Sequence, residues 1–301
     1  MSNAFGWGTK NDEVVDAFAD RVKGRVFLVT GPAPNGLGDA ALRALARAHP
    51  ATLLLVGRSP AKYAPVIDAI KAIDPAIVVR VYGVDFNVLQ SVRDGAGKIL
   101  EENDRIDVVI NSAGVMRADL KYTVDGIEEH FQTCHVGHFL LTNLLMPLLK
   151  KSDEPRVVNV SNYSDYNFKN QDFIWFKGYG QAKLANVHFS KALAARGITS
   201  YALHPGVIHG TSLGPEFPPA ILEQLRKGDF SKGVKTKELS HGASTALVAA
   251  LDPKMGLKEK SGGWLEDCQL VTPVGDGHSK AGAPDELWKL SEKLVGQEFT
   301  F

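Results

Sequence analysis

RVFLVTGPAPNGLG, residues 25–38, decides the fold. An apolar run ends in Thr30-Gly31, four residues follow, and Gly36-Leu37-Gly38 opens a stretch to His49 with Leu37, Ala41, Leu45 and Ala48 at helical spacing. A strand that feeds a helix through such a turn aims backbone amides and the helix dipole at an anion, and glycine lets a pyrophosphate come close. Glycine-rich turns are common in tight connections; the position directly after a first strand is what makes this one a phosphate cradle. Gly31, Asn35, Gly36, Leu37 and Gly38 are its expected residues.

Outward from this turn, further apolar runs alternate with helical patterns: ATLLLVG at 51–57, AIVVRVYGV at 76–84, IDVVIN at 106–111, RVVNVS at 156–161 and ITSYALHP at 198–205. Strands alternating with helices predict a parallel sheet covered on both faces. The pattern therefore reads as a Rossmann-type, doubly wound α/β sheet flanked by helices, in a single domain over residues 1–301. Residues 125–150 form a longer amphipathic stretch. Two segments look inserted after strand ends: 163–177, rich in aromatic residues, and 212–234, with Pro215, Pro218 and Pro219. Ligands bind beyond the carboxyl ends of strands in open α/β sheets, so both are expected substrate walls.

At the end of the second run, LLLVGRS puts Gly57 where an NAD-binding protein would hold an acidic side chain for the ribose 2′-hydroxyl, followed by Arg58. A guanidinium suits a 2′-phosphate, so NADP(H) is the expected cofactor. Further on, YGQAKLANVHF carries Tyr179 and Lys183 four residues apart. On a helix over 178–195 they lie one turn apart on one face and can meet a single ligand. A phenol ionises near about pH 10 and is a poor proton carrier until a cation stabilises the phenolate, the part expected of Lys183.

Composition narrows the partners. The chain has 301 residues with 34 Lys plus Arg against 34 Asp plus Glu, so no overall field recruits nucleic acid or an anionic membrane. The first residues lack the apolar core of a signal peptide and no apolar run is long enough to span a bilayer, which makes the expected location cytoplasmic. Cys134, in a helical stretch, and Cys268, in a strand-like one, make neither a disulfide framework nor a metal site, and no metal is expected.

Taken in order, TGPAPNGLG, VDF at 84–86, NSAG at 111–114, HVGHFLLTNLL at 135–145, RVVNVS, YGQAKLAN and HPGV at 204–207 resemble the short-chain dehydrogenase/reductase family. The wording is nearest to its retinol dehydrogenase and WW-domain oxidoreductase branch, and the motifs cover most of the chain. The resemblance implies that Asp85 contacts adenine and that Asn111, Ala113 and Gly114 line the cofactor beside the fourth strand. It implies that Pro205, Gly206 and Val207 edge the nicotinamide, that Tyr179 is the general acid or base, and that Lys183 also holds the nicotinamide ribose. The helices at 125–150 and 178–195 are the family's usual dimer faces, which leans the expectation towards a homodimer, although apolar stripes also bury against a sheet in monomers.

The chain departs from the family's wording in four places. Pro32, Ala33, Pro34 and Asn35 make the first glycine gap one residue longer, and the two prolines bring no amide hydrogen to a phosphate. Cys134 stands where the family has an asparagine that supports a water chain to the lysine, and a thiol is a weak hydrogen-bonding partner. Asn162 stands in the register of the serine that binds the substrate carbonyl; its amide can still donate, and Ser164 would serve if the loop shifts. In HPGVIHGT, His209 and Gly210 displace Thr211 by one position.

The expected function is NADP(H)-dependent interconversion of an apolar ketone or aldehyde and its alcohol, a carbonyl-reductase chemistry with Tyr179 as acid/base, Lys183 as its activator and Asn162 or Ser164 on the carbonyl. Phe168, Phe173, Trp175, Phe176 and Phe217 suggest a ring-lined pocket for such a substrate. Two alternatives stay open: the same fold used for isomerisation, dehydration or cyclisation, and a non-catalytic NADP-binding module. The module has no need of the phenol that Tyr179 supplies.

Overall fold

Alternate residues of β1 (Val26–Thr30) feed two different cores. Phe27 and Val29 pack into one apolar cluster and Leu28 into another, as the two-residue period of a strand requires. The same division runs along β2 (Thr52–Gly57), where Leu53 and Leu55 oppose Leu54 and Val56. The computed structural model describes residues 5–117, 119–162, 174–208, 211, 213, 235–272 and 276–301. β1 pairs in parallel with β2 on one side and with β4 (Val108–Asn111) on the other. With β3 (Val78–Gly83), β5 (Arg156–Val160), β6 (Thr199–His204), β9 (Trp264–Glu266) and β10 (Gln269–Val271) the sheet has eight strands, ordered β3-β2-β1-β4-β5-β6-β9-β10. All pairs are parallel except the β9–β10 hairpin; β7 (Val207–Ile208) and β8 (Thr236–Lys237) form a separate small pair. This is the doubly wound sheet in a single domain that the sequence pattern predicts.

Helices α1 (Asn11–Ala17), α2 (Leu37–Ala46), α3 (Ala64–Ile73) and α9 (Leu239–Leu251) supply Val14, Leu42, Leu45, Ile70 and Leu247 to the first core. The second core takes Val92 and Ile99 from α4 (Leu89–Glu102), Phe139 and Leu140 from α6 (Gly137–Leu144), and Phe189 and Leu193 from α8 (Ile174–Ala195). Among the described residues no helix is long and apolar enough to cross a membrane.

Two expectations change. The stretch 125–150 is not one helix: α5 (Glu129–Phe131) runs into a π-turn at Gln132–Val136, then α6, then α7 (Met146–Leu149), which restarts with a proline in its first turn. Cys268 is not in a strand. With Asp267 it makes the two-residue turn between β9 and β10, both at positive φ (49° and 62°), the backbone of a tight hairpin turn. The apolar faces of α6 and α8 are partly covered from within the chain. A C-terminal helix, Ala283–Val295, lies across them and puts Trp288 4.9 Å from Phe139 and 6.1 Å from Phe189 between ring centroids; Phe299 adds a third ring at 5.7 Å from Phe139.

The strand order reverses between β1 and β4, and one hydroxyl fastens the reversal. Thr30 Oγ1 accepts the amide hydrogens of Ser112 and Ala113, both at 2.9 Å, and pairs with His138 Nε2 at 2.8 Å. His138 Nδ1 donates to the Cys134 carbonyl at 3.1 Å, which leaves Nε2 as the acceptor of the Thr30 proton. The threonine thus joins the first strand, the loop after the fourth, and the π-turn.

Stability should report both this anchor and the buried histidines. Thr30→Val leaves two amides and a ring nitrogen without their partner and should cost about 2–4 kcal/mol in urea unfolding, while Thr30→Ser should restore most of it. Burial also pushes His135 and His138 down to about 3. The unfolded chain takes up those protons near pH 6.5 and the folded chain does not, so their contribution is fully present above about pH 6.5 and falls as pH drops towards 3. The slope is up to about 1.4 kcal/mol per pH unit for each ring. Urea midpoints between pH 7.5 and 5 measure it; a flat profile there would contradict the burial of both rings.

Candidate active site

A cleft of about 700 Å³ opens where the strands end. Gly31, Gly36, Leu37, Arg58, Asp85, Ala113, Gly114, Asn162, Tyr179, Lys183, Pro205, Gly206 and Val207 all line it, so most of the residues singled out in the sequence meet in one place. Ser164 lies outside the described residues, as do His209, Gly210, Phe168, Phe173 and Phe217 and the side chains of Trp175 and Phe176. Of the two expected substrate walls, residues 174–177 form the first turn of α8, and Leu213 lines the cleft beside Thr211.

Close approach explains the glycine turn. A Cβ at Gly38 would sit 2.5 Å from the Gly31 carbonyl oxygen, and one at Gly31, whose φ is +69°, would sit 2.8 Å from Ala113 Cα. Gly36 is the N-cap of α2 and offers no side-chain cap, so the first-turn amides of Leu37 and Gly38 keep no partner from within the helix. Uncapped amides, a helix N-terminus and a wall kept free of side chains fit the phosphates of a dinucleotide.

Two members of the turn work differently from expectation. Gly38 also serves the packing of α2 onto the turn, because a side chain there would meet the Gly31 carbonyl. Asn35 adopts φ of 60° and its amide donates to Asp39 Oδ2 at 3.1 Å, a carboxylate also held by Arg43 Nε at 2.5 Å. The longer loop spends that amide on its own closure. Asp85, on the rim beyond β3, accepts from the Asn87 amide at 3.0 Å.

Asn111 needs a correction as well. Its side chain is buried under the cleft and donates to Thr142 Oγ1 at 3.1 Å and to Asn159 Oδ1 at 2.9 Å; Asn159 in turn donates to Ser190 Oγ at 2.8 Å. This polar chain ties β4 and β5 to α6 and α8, and it positions Ala113 and Gly114 without touching the cleft itself.

At the other end Tyr179 and Lys183 face inward from α8, both nearly sealed from solvent. Lys183 Nζ donates to the Val160 carbonyl at 3.0 Å and lies 5.6 Å from the centre of the Tyr179 ring. The Ser161 hydroxyl donates to the Lys183 carbonyl, which fastens α8 to the end of β5. The Asn162 side chain hydrogen-bonds Tyr179 and pulls its pKa down, but burial outweighs this and holds the phenol above its ordinary range. Burial likewise pushes the Lys183 ammonium below its own. Removal from water favours the neutral form of both groups.

Cys134 is buried beside this pair. Its thiol donates to the Val115 carbonyl at 3.6 Å, and a Cβ on Gly114 would stand 3.4 Å from the sulfur and 3.5 Å from Lys183 Nζ. Burial pushes the thiol up. The residue holds the Gly114–Met116 wall in place as a small, uncharged filler.

Sequence reasoning passed over His130 and Glu128. His130 Nε2 accepts the Arg117 amide at 2.9 Å, so its proton sits on Nδ1 and goes to Glu128 Oε1 at 2.5 Å; its ring stands edge-on to Tyr179 at 6.1 Å. The only sequence signal was a histidine two residues after a glutamate, which is too common to read.

With the geometry in hand, comparisons with known proteins place the chain. The short chain dehydrogenase family model matches residues 25–220. Retinol dehydrogenase 12 of Mus musculus is 33% identical over 288 residues, covering 92% of this chain and 88% of that protein. Retinol dehydrogenase 13 of Homo sapiens is 34% identical over 305 residues, covering 92% and 86%. The crystal structure of an uncharacterized protein from Mycobacterium Paratuberculosis is similar with a TM-score of 0.64 at 28% identity, over 93% of this chain and 96% of that one. Sheet order, ordered motifs and sequence similarity agree: the chain belongs to the short-chain dehydrogenase/reductase family, on its retinol dehydrogenase branch, and is by that membership an oxidoreductase working with a nicotinamide cofactor.

Proposed function

We propose that this protein interconverts an apolar ketone or aldehyde and its alcohol with NADP(H), Tyr179 exchanging the proton. The observation that carries the reading is the pairing of Tyr179 with Asn162 at one end of a cleft whose other end presents Arg58 and Lys62. The relatives are named for retinol, an apolar alcohol, which agrees with this substrate class.

Bound nicotinamide supplies or accepts the hydride at the carbonyl carbon. Tyr179 gives its phenolic proton to the carbonyl oxygen during reduction and takes it back during oxidation. Burial holds the phenol above its ordinary range, so it carries the proton that reduction consumes. The Lys183 charge, 5.6 Å from the ring centre, stabilises the phenolate left behind. Asn162 fills the place expected of a serine: its amide donates to an oxygen, as amides do in oxyanion sites. At the far end Arg58 would hold a 2′-phosphate through charge-assisted hydrogen bonds. The cytoplasmic location read from the sequence belongs to the same proposal.

Tyr179→Phe should lower kcat at least about 100-fold while leaving the NADPH dissociation constant within about twofold, as nicotinamide fluorescence would report. Retained turnover would remove the phenol from the mechanism, and product formed without matching NADPH consumption would favour the non-redox use of the fold. Arg58→Ala should weaken NADPH about tenfold or more and leave NADH nearly unchanged. An equal loss for both cofactors would show that Arg58 does not read the 2′-phosphate.

A further inference from the structure

β2 and β3 end side by side in glycines, Gly57 opposite Gly83. The next turn, Ser59 with the short 3-10 helix Pro60–Tyr63, folds back over both. A Cβ on Gly83 would meet Pro60 Cγ at 3.3 Å. A Cβ on Gly57 would meet the Tyr63 hydroxyl at 2.4 Å and its Cζ at 3.3 Å, with Pro32 Cδ at 3.3 Å closing the other side. The phenol is not the loose end of a surface chain. Tyr63 is 4% exposed, its ring belongs to the core between α2, α3 and the sheet, and its oxygen accepts the Ser59 amide at 3.2 Å.

The slot at the end of β2 is the one from which an acidic side chain would reach a ribose 2′-hydroxyl. Here two segments fill it from opposite sides: Tyr63 from the turn after β2, and Pro32 from the lengthened turn after β1. Resting on the NADP(H) reading above, we propose that Tyr63 is a specificity-determining residue, its hydroxyl plugging the strand-end slot so that no carboxylate at position 57 can serve an unphosphorylated ribose. Cofactor choice then has two parts. Arg58, with Lys62 on the same rim, attracts the phosphate, and the plug removes the acceptor that would reward its absence. Pro32 of the long turn acquires a purpose on this view, since its Cδ closes the slot from the side opposite Tyr63.

The slot can be probed without cofactor. Gly57 lies in extended strand that alanine adopts freely, so the contact with Tyr63 alone decides the cost of a methyl group. Gly57→Ala should lower Tm by about 5 °C in the wild-type background and by less than half of that in the Tyr63→Phe background. Equal drops in both backgrounds would overturn the plug. The second arm titrates NADH into Gly57→Asp made alone and together with Tyr63→Leu, which clears the ring end as well as the hydroxyl. The double variant should bind NADH at least about tenfold tighter than Gly57→Asp alone, and equal affinities would overturn the assignment. Should wild-type protein bind NADH as tightly as NADPH, the NADP(H) reading itself fails, whereas the Tm comparison still reports whether Tyr63 fills the slot.

Discussion

The hydroxyl of Thr30 is the point on which the cleft depends, because it accepts two amides of the loop after β4 while giving its own proton to His138. A parallel sheet that reverses its order leaves a gap between two loops running in opposite directions, and that gap is where ligands sit. The gap has a definite shape only if the loops are tied. Thr30 ties them with a group small enough to stay under the floor of the cleft, and His138 passes the restraint to the π-turn through the Cys134 carbonyl. The Asn111–Asn159–Ser190 chain does the same one strand further on, so the catalytic end rests on buried polar contacts and not on loop packing alone.

Burial governs the electrostatics of that end. Tyr179 and Lys183 are both withdrawn from water, and each is pushed towards its neutral form. Keeping a lysine in such a place, with the Val160 carbonyl as its hydrogen-bond acceptor among the described residues, is costly, which is a reason to look for chemistry there. Asn162 opposes the burial of the phenol by bonding it directly, and this contact makes the departure from serine intelligible. Cys134 has no such polar part: its thiol closes on a backbone carbonyl, and the lysine finds its partner in Val160.

Local pattern made the central strands legible. Their apolar runs agree with the observed strands to within two residues, because a strand buried on both faces has almost no freedom of composition. The hairpin β9–β10 was not legible: its turn is Asp267-Cys268, where positive φ is enforced by the pairing of the strands and not announced by Asn-Gly. The break in the 125–150 stretch was hidden as well, since a π-turn keeps the helical hydrophobic spacing nearly intact while rotating the helix beyond it.

The sequence by itself determined the sheet, the glycine turn, the Tyr179–Lys183 face of α8 and the family to which they belong. Each of these is a short-range pattern: a period, a spacing of four, or a glycine where a side chain cannot fit. Only the tertiary structure decided what the residues at those places touch. It turned Asn111 away from the cleft, spent the Asn35 amide on Asp39, set His130 against the Tyr179 ring and brought Tyr63 onto Gly57. These contacts join segments whose meeting is fixed by packing around a common core, and no local rule of spacing or composition encodes which side chain fills a given space.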